Sequence, residues 1–134
     1  MADNTFKVSI ITPERIFYEG DATMVEFNTV EGEIGVLPNH IPLTTVIAPG
    51  ILTITEESGP KNAALHAGLA EVLPDKVTIL AEIAEWPDEI DVQRAKDAED
   101  RARTHLANKD ENLDVLRAEI ALKKALVRQE VQGR

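Results

Sequence analysis

The sequence predicts an all-β sandwich or flattened barrel followed by an antiparallel α-helical hairpin. Three observations predict this fold: β-branched runs broken by turns up to about residue 85, the Trp86-Pro87 step, and an Ala-, Leu-, Glu- and Lys-rich stretch without Gly or Pro from residue 88 to residue 132. Many short strands without intervening helices are typical of sandwiches and barrels. We therefore expect two domains, residues 1–86 and residues 87–134.

Strand-like segments account for most of the first domain. Each is rich in β-branched residues or alternates apolar with polar residues, and Pro, Gly, Asn and Asp mark turns between them, for example at residues 31–32, 37–39 and 49–50. We expect antiparallel strands at residues 6–11, 15–18, 23–29, 51–55, 63–73 and 77–81.

The second domain begins at Pro87, which cannot continue a central strand and which favours an extended conformation for Trp86. Helical composition predicts one helix from residue 88 to about 107 and another from 112 to about 131, with Asp110 as the N-cap of the second. Because the connection is short, the two helices should lie antiparallel.

The apolar stripes of this hairpin are thin. Alanine side chains bury little area, so the seam should exceed the cost of ordering two helices by only a small margin. A hairpin that comes apart in use and a static Ala-rich hairpin both fit this pattern. The predicted stripes consist of Ile90, Ala95, Ala98, Ala102 and Leu106 in the first helix, and of Leu113, Leu116, Ile120, Ala121, Ala125, Leu126 and Val127 in the second.

Composition excludes several classes of function. The net charge of −10 argues against nucleic acid or anionic membrane as a primary partner, because both need concentrated positive charge. No apolar run approaches the roughly 20 residues of a membrane-spanning helix, and residues 1–7 do not resemble a secretory signal. We expect a soluble, intracellular chain without membrane insertion. With no cysteine, disulfides and thiol chemistry are excluded.

The strongest candidate site is the start of the first predicted helix, where Asp91 and Arg94 lie between Ile90 and Ala95. A carboxylate and a guanidinium beside a small and an apolar side chain can hold a purine nucleotide. An ordinary helix start has the same pattern, because Asp91 in the first turn favours the helix dipole.

Catalytic signatures are missing from the sequence. It has no P-loop, dinucleotide fingerprint or nucleophile elbow. The three histidines, His40, His66 and His105, lack metal-ligand spacing. We therefore expect a protein that is not an enzyme and that holds no metal.

Four sequence markers resemble the epsilon subunit of bacterial F-type ATP synthases, in the ATP-binding branch typical of bacilli. They are the Gly-Glu-Ile-Gly-Val-Leu-Pro-Asn-His-Ile-Pro-Leu run at residues 32–43, Pro49-Gly50, the Gly-Leu-Ala-Glu-Val run at residues 68–72, and Ile90-Asp91 followed by Arg94-Ala95. The resemblance covers essentially the whole chain and includes the order of β-domain, Pro hinge and hairpin.

The resemblance implies a non-catalytic rotor subunit of the central stalk, which couples the gamma subunit to the c-ring during proton-driven ATP synthesis. It implies that the extended hairpin reaches the catalytic beta subunits and inhibits ATP hydrolysis, that ATP stabilises the folded hairpin, and that the complex lies on the cytoplasmic face of the bacterial cell membrane. It places Glu33 and His40 on the surface facing the c-ring and gamma. The implied nucleotide group is Glu85, Ile90, Asp91, Arg94, Ala95, Arg101, Lys124 and Arg128.

Helical geometry agrees with this group, because Asp91, Arg94 and Arg101 share one face of a helix. Arginines donate charge-assisted hydrogen bonds to phosphates. Lys124 departs from the family pattern, which usually has arginine there, and a lysine loses the bidentate geometry. The requirement for magnesium is left open.

Two other functions fit parts of the sequence. A stand-alone ATP-binding sensor would keep Asp91 and Arg94 but would have no gamma-binding face. A small β-sandwich enzyme would use Glu33 and His40.

Overall fold

The computed structural model describes residues 4–108 and 114–133 as a β-domain followed by two helices. The β-domain ends in a single 3-10 turn at Pro87–Glu89. Its strands are β1 (Phe6–Ile11), β2 (Ile16–Ala22), β3 (Met24–Thr29), β4 (Gly32–Val36), β5 (Leu43–Ile47), β6 (Gly50–Glu56), β7 (Gly59–Val72) and β8 (Lys76–Glu85), and its helices are α1 (Val92–Asn108) and α2 (Val115–Gln132).

The strands follow the order β2-β1-β8-β7-β5-β3-β4, with β6 also pairing with β3 and β7. The pairs are antiparallel except for β1 and β8, which run parallel from Lys7 opposite Lys76 to Ile11 opposite Leu80. The predicted β-sandwich is therefore confirmed, but the expectation of purely antiparallel strands is wrong for this pair. The parallel pair joins the first and last strands of the domain.

The long strand β7 connects the layers of the sandwich. Its first half pairs with β6 and its second half with β5, in one continuous register that runs from Gly59 opposite Glu56 to Val72 opposite Leu43. The Pro49-Gly50 step, which the sequence predicts as a turn, is thus a bend between two strands that lie along the same edge of β7.

Gly68 of β7 lies opposite Ala81 and against the backbone of β8. Its φ is +143°, and a Cβ built on it would lie 2.0 Å from the carbonyl oxygen of Leu80. Only glycine has both the conformational freedom and the space for this position.

Strands β4 and β5 are not among the strands that the sequence predicts. Both have five residues, and only Val36 and Ile47 in them are buried. Gly32, Gly35 and the neighbouring prolines interrupt the β-branched pattern, so the strands are recognisable mainly from their pairing with β3 and β7.

The core of the sandwich is built from alternate residues of the strands, as expected when one face of each strand is buried. Ile10, Phe27, Leu52, Ile54 and Ile79 are completely inaccessible to solvent. The opposite faces of several strands carry exposed residues, which leaves them available to contact other molecules.

The chain leaves the sandwich through a segment that is anchored on β2. Trp86 is extended, with φ −73° and ψ 156°, as its position before Pro87 predicts. Its ring stacks on Phe17 at 4.2 Å between centroids. Arg15 donates two hydrogen bonds, of 2.7 and 2.8 Å, to the carboxylate of Glu89. Both contacts fix the 3-10 turn to the sandwich.

The helical hairpin is closed by a seam of alanines. The buried residues of α1 are Ala95 and Ala102, and Ala118 and Ala125 lie buried in α2 at the same spacing of seven residues. At about 0.8 kcal/mol for each buried methylene-sized group, four methyl groups contribute about 3 kcal/mol. Gln129 adds one hydrogen bond across the seam, of 2.9 Å to Glu99.

The predicted stripe of α2 needs correction. Leu116, Ile120 and Leu126 are 67%, 40% and 40% exposed, and Ala121 is exposed as well. Small residues at every seventh position bring the helices close together, which leaves the leucines outside the seam. The predicted Leu113 and the predicted cap Asp110 lie outside the described residues. In the described part, Asp114 caps α2 by accepting a hydrogen bond from the backbone N–H of Arg117.

Within residues 4–108 and 114–133, neither helix combines the length and the apolar character needed to cross a membrane.

Candidate functional site

The hairpin is joined to the sandwich by an ion pair between Glu85, the last residue of β8, and Arg128 of α2. The Arg128 Nε donates to Glu85 Oε1 at 2.6 Å, and each side chain is about one quarter exposed. The neighbouring His66 ring and the Arg128 guanidinium hold the pKa of Glu85 below its ordinary value. Glu85 is therefore ionised at neutral pH and can hold a cation on α2.

His66 lies under α2 on strand β7 and is completely buried. Its Nε2 is 3.5 Å from Glu85 Oε1, which is too long for a well-formed hydrogen bond, and neither ring nitrogen has a hydrogen-bond partner among the described residues. Burial lowers the pKa of His66, and the positive charges of Arg128 and Lys124 lower it further. The ring is therefore neutral at neutral pH.

A small apolar cluster lies between α2 and the sandwich. It consists of Ala64, Ile90, Val127 and Val131, with the half-buried Ile51 packed against it. We call these five residues the docking cluster. It is separate from the sandwich core, so α2 contacts the β-domain through a few apolar side chains and one ion pair.

The predicted nucleotide residues at the start of α1 have structural roles in this conformation. Asp91 Oδ1 accepts a hydrogen bond from the backbone N–H of Arg94 at 3.0 Å, which caps the first turn. Ile90 belongs to the docking cluster, and Ala95 is 2% exposed in the alanine seam. The side chains of Arg94 and Arg101 are exposed and can bind an anion.

The structure thus brings together two parts of the predicted group. Glu85 contacts Arg128, with Lys124 close enough to affect His66, and Ile90 packs beside Val127 in the docking cluster. Asp91, Arg94, Ala95 and Arg101 lie along α1. Their binding of a nucleotide stays a prediction.

Glu33 and His40 lie in and after β4. Glu33 is exposed, and His40 is half-buried with its Nδ1 2.7 Å from the carbonyl oxygen of Ile41. Next to them, Leu37 and Ile41 are 56% and 77% exposed. This loop presents apolar side chains to its surroundings.

Six exposed apolar side chains form a row across neighbouring strands of the sheet. Ile11 lies opposite both Ile16 and Leu80, Leu80 opposite Leu69, and Leu69 opposite Val46. The backbone of Val30 hydrogen-bonds to Val46 and extends the row. The side chains are 36% to 64% exposed. We call this set, Ile16, Ile11, Leu80, Leu69, Val46 and Val30, the apolar row.

Sequence reasoning missed His66 and the apolar row. In the pairing of β7 with β8, Ala64 lies opposite Glu85. This register places His66, two residues further along β7, beside the Glu85 carboxylate, and it cannot be read from the sequence of one strand. The apolar row joins residues of five strands and one turn, so it depends on the register of the whole sheet.

Comparisons with known proteins agree with this architecture. The ATP synthase delta/epsilon chain β-sandwich domain matches residues 5–87, and the long α-helix domain of the same chain matches residues 88–131. The ATP synthase epsilon chain of Halalkalibacterium halodurans is 47% identical over 97% of this chain and 98% of its own length. That of Shouchella clausii is 46% identical over 95% and 94%, and that of Caldanaerobacter subterraneus is 44% identical over 98% and 96%.

A solved structure supports the same relationship. A chain in the Euglena gracilis mitochondrial ATP synthase, in a structure of OSCP, F1 and the c-ring, superposes with a TM-score of 0.84 and 25% identity over 98% of this chain and 82% of that one. The resemblance found in the sequence is therefore confirmed. The protein belongs to the ATP synthase delta/epsilon family and is a non-catalytic central-stalk subunit of the ATP synthase complex.

Proposed function

We propose that the β-domain couples the gamma subunit to the c-ring in a bacterial ATP synthase, and that the helical hairpin regulates ATP hydrolysis. The single observation that carries the coupling role is the apolar row. Large contiguous apolar surfaces are rare on isolated soluble proteins and mark sites of protein contact. Six exposed apolar side chains that join into one row are an unusual surface for a chain with a net charge of −10, and they favour a protein partner.

The apolar row fits gamma, and the loop after β4 fits the c-ring. The row lies on the open face of a rigid sheet, which suits a long-lived contact with a packed protein surface. The loop projects Leu37 and Ile41 beside Glu33 and His40, so it offers apolar and polar contacts together. In this arrangement the subunit is peripheral, on the cytoplasmic face of the bacterial cell membrane.

Binding to purified gamma tests the coupling role. We expect Leu69→Glu and Leu80→Glu to abolish co-elution with gamma on size-exclusion chromatography, because each would place a charge at the centre of the apolar row. The control is Leu116→Glu, which places the same charge on a leucine of α2 that is 67% exposed, against 49% for Leu69 and 51% for Leu80. Co-elution that survives both row substitutions would overturn this part of the proposal. A wild-type chain that never binds gamma would favour a stand-alone sensor.

The regulatory role rests on how little holds the hairpin in place. Four alanines, the docking cluster and the Glu85–Arg128 pair are modest contacts for two helices. We infer that α2 can leave the sandwich and extend along gamma, where Lys123, Lys124 and Arg128 meet acidic surfaces of the catalytic beta subunits.

Deletion of residues 87–134 tests this role in the assembled complex. The apolar row and the sandwich core lie outside the deleted part, so we expect normal assembly and proton coupling with a higher rate of ATP hydrolysis. A truncated subunit that fails to assemble, or that leaves hydrolysis unchanged, would contradict the separation of the two roles.

ATP is the proposed ligand of the folded hairpin, with or without magnesium. Arg94, Arg101, Lys124 and Arg128 supply donors for phosphates, and Asp91 and Glu85 supply acceptors for the base or sugar. A ligand that binds only the folded form stabilises it by RT ln(1 + [L]/Kd), which is about 2.7 kcal/mol at a hundredfold excess over Kd. This is comparable to the contribution of the alanine seam, so ATP can decide the position of the hairpin.

A further inference from the structure

The contact between hairpin and sandwich contains a feature that neither packing nor the proposed nucleotide site explains. His66 is fully buried, yet neither of its ring nitrogens has a hydrogen-bond partner among the described residues. A buried polar atom without a partner costs stability. An apolar side chain at this position would support docking of α2 better, which suggests that the imidazole has a function of its own.

We propose that His66 is a pH-sensitive latch: while its ring is neutral, α2 stays docked on the sandwich, and protonation of the ring releases the helix. The latch rests on the proposed ability of the hairpin to leave the sandwich. It requires neither nucleotide nor a partner subunit.

The charges around His66 disfavour protonation of its ring. From β8, Glu85 faces the ring, and from α2, Arg128 and Lys124 face it. The Glu85 carboxylate already accepts a hydrogen bond from Arg128 at 2.6 Å. A protonated ring would have to share the Glu85 carboxylate, 3.5 Å away, with Arg128, which already holds it at 2.6 Å. A buried charge that is only partly paired is disfavoured.

Undocking removes this penalty. When α2 leaves, Arg128 and Lys124 leave with it and water reaches the ring. His66 then titrates near the ordinary value of about 6.5, whereas in the docked state burial, Arg128 and Lys124 lower its pKa and Glu85 only partly opposes them. The undocked state therefore binds more protons between the two pKa values.

The sign of the pH effect follows from this difference. Docking has its full strength above about pH 6.5 and weakens as the pH falls below that value towards the docked pKa, by up to about tenfold per pH unit. Glu85 has a pKa below its ordinary value, so it keeps its charge through this range. Acidification thus acts on the imidazole before it acts on the ion pair.

Hydrogen exchange on the isolated full-length chain, without nucleotide, tests the latch. We expect the protection factors of α2 amides, corrected for the intrinsic pH dependence of exchange, to fall by up to about tenfold between pH 8 and pH 5.5, while those of β7 and β8 stay constant. In His66→Met this fall should disappear. His66→Gln, which keeps a polar side chain but cannot titrate, should also remove it.

The other two histidines provide matched controls. His40→Gln and His105→Gln remove imidazole rings that lie away from the docking cluster and from Glu85, so both variants should keep the full pH dependence. A fall that persists in His66→Met and His66→Gln would overturn the latch while leaving hairpin release intact. Protection of α2 as high as that of the sandwich core at both pH values would overturn the latch and the proposed release together.

Discussion

Val131 offers the most direct measure of how firmly the hairpin is docked. It lies in the last turn of α2, is completely buried, and packs in the docking cluster with Ala64, Ile90 and Val127. Val131→Ala removes two methylene-sized groups at about 0.8 kcal/mol each and leaves a small cavity. We expect docking to weaken by about 1.5 to 3 kcal/mol, a factor of about 10 to 150 in the docking equilibrium.

Hydrogen exchange resolved along α2 is the appropriate assay, because it reports local opening separately from global unfolding. Protection should fall in α2 and stay unchanged in β7 and β8. Alanine has a higher helix propensity than valine, so the helix itself is not weakened by the substitution.

Leu116→Ala provides the control for this prediction. It removes a larger apolar side chain from the same helix, but Leu116 is 67% exposed, so we expect little change in protection. Equal effects of the two substitutions would refute the reasoning, since docking would then depend on the general stability of the helix and not on the docking cluster.

Two further predictions concern the ligand and the sandwich. Lys124→Arg should tighten ATP binding about tenfold in calorimetry, because a guanidinium can bind a phosphate through two hydrogen bonds; unchanged affinity would remove Lys124 from the site. Gly68→Ala should destabilise the chain by about 3 kcal/mol or more in urea denaturation, because its Cβ would meet the Leu80 carbonyl at 2.0 Å. Gly59→Ala, at φ +130° but with open space around it, should cost only about 1 to 2 kcal/mol; similar losses in both would refute the steric explanation.

Local patterns predicted the elements of this fold well where one face of an element is buried. Alternation in β1, β3 and β6 and the change of composition at Pro87 are such cases. The same reasoning missed β4, which two glycines interrupt, and β5, which has five residues and only one buried side chain. It also placed Leu116 and Ile120 in a seam that alanines occupy. Apolar periodicity identifies a helix face, but it cannot tell which of several apolar residues the partner helix covers.

The candidate site was predicted in part for a similar reason. The resemblance to a family named Glu85 and Arg128, and the structure pairs them. The position of His66 beside Glu85 follows only from the register of β7 with β8. The apolar row follows only from the pairing of five strands. Contacts between residues distant in sequence depend on how all the strands pair. A short segment of sequence does not contain this information.

The Phe17–Trp86 stack and the Arg15–Glu89 pair hold the 3-10 turn on the sandwich and involve no residue of either helix. A released hairpin therefore remains tethered to the sandwich at Glu89, directly before Ile90 of the docking cluster. Rebinding is intramolecular, and short tethers correspond to effective concentrations in the millimolar range. A subunit that binds the released helices must compete with this intramolecular redocking. Most releases of the hairpin are therefore short, and only a partner that binds the helices tightly keeps them away from the sandwich.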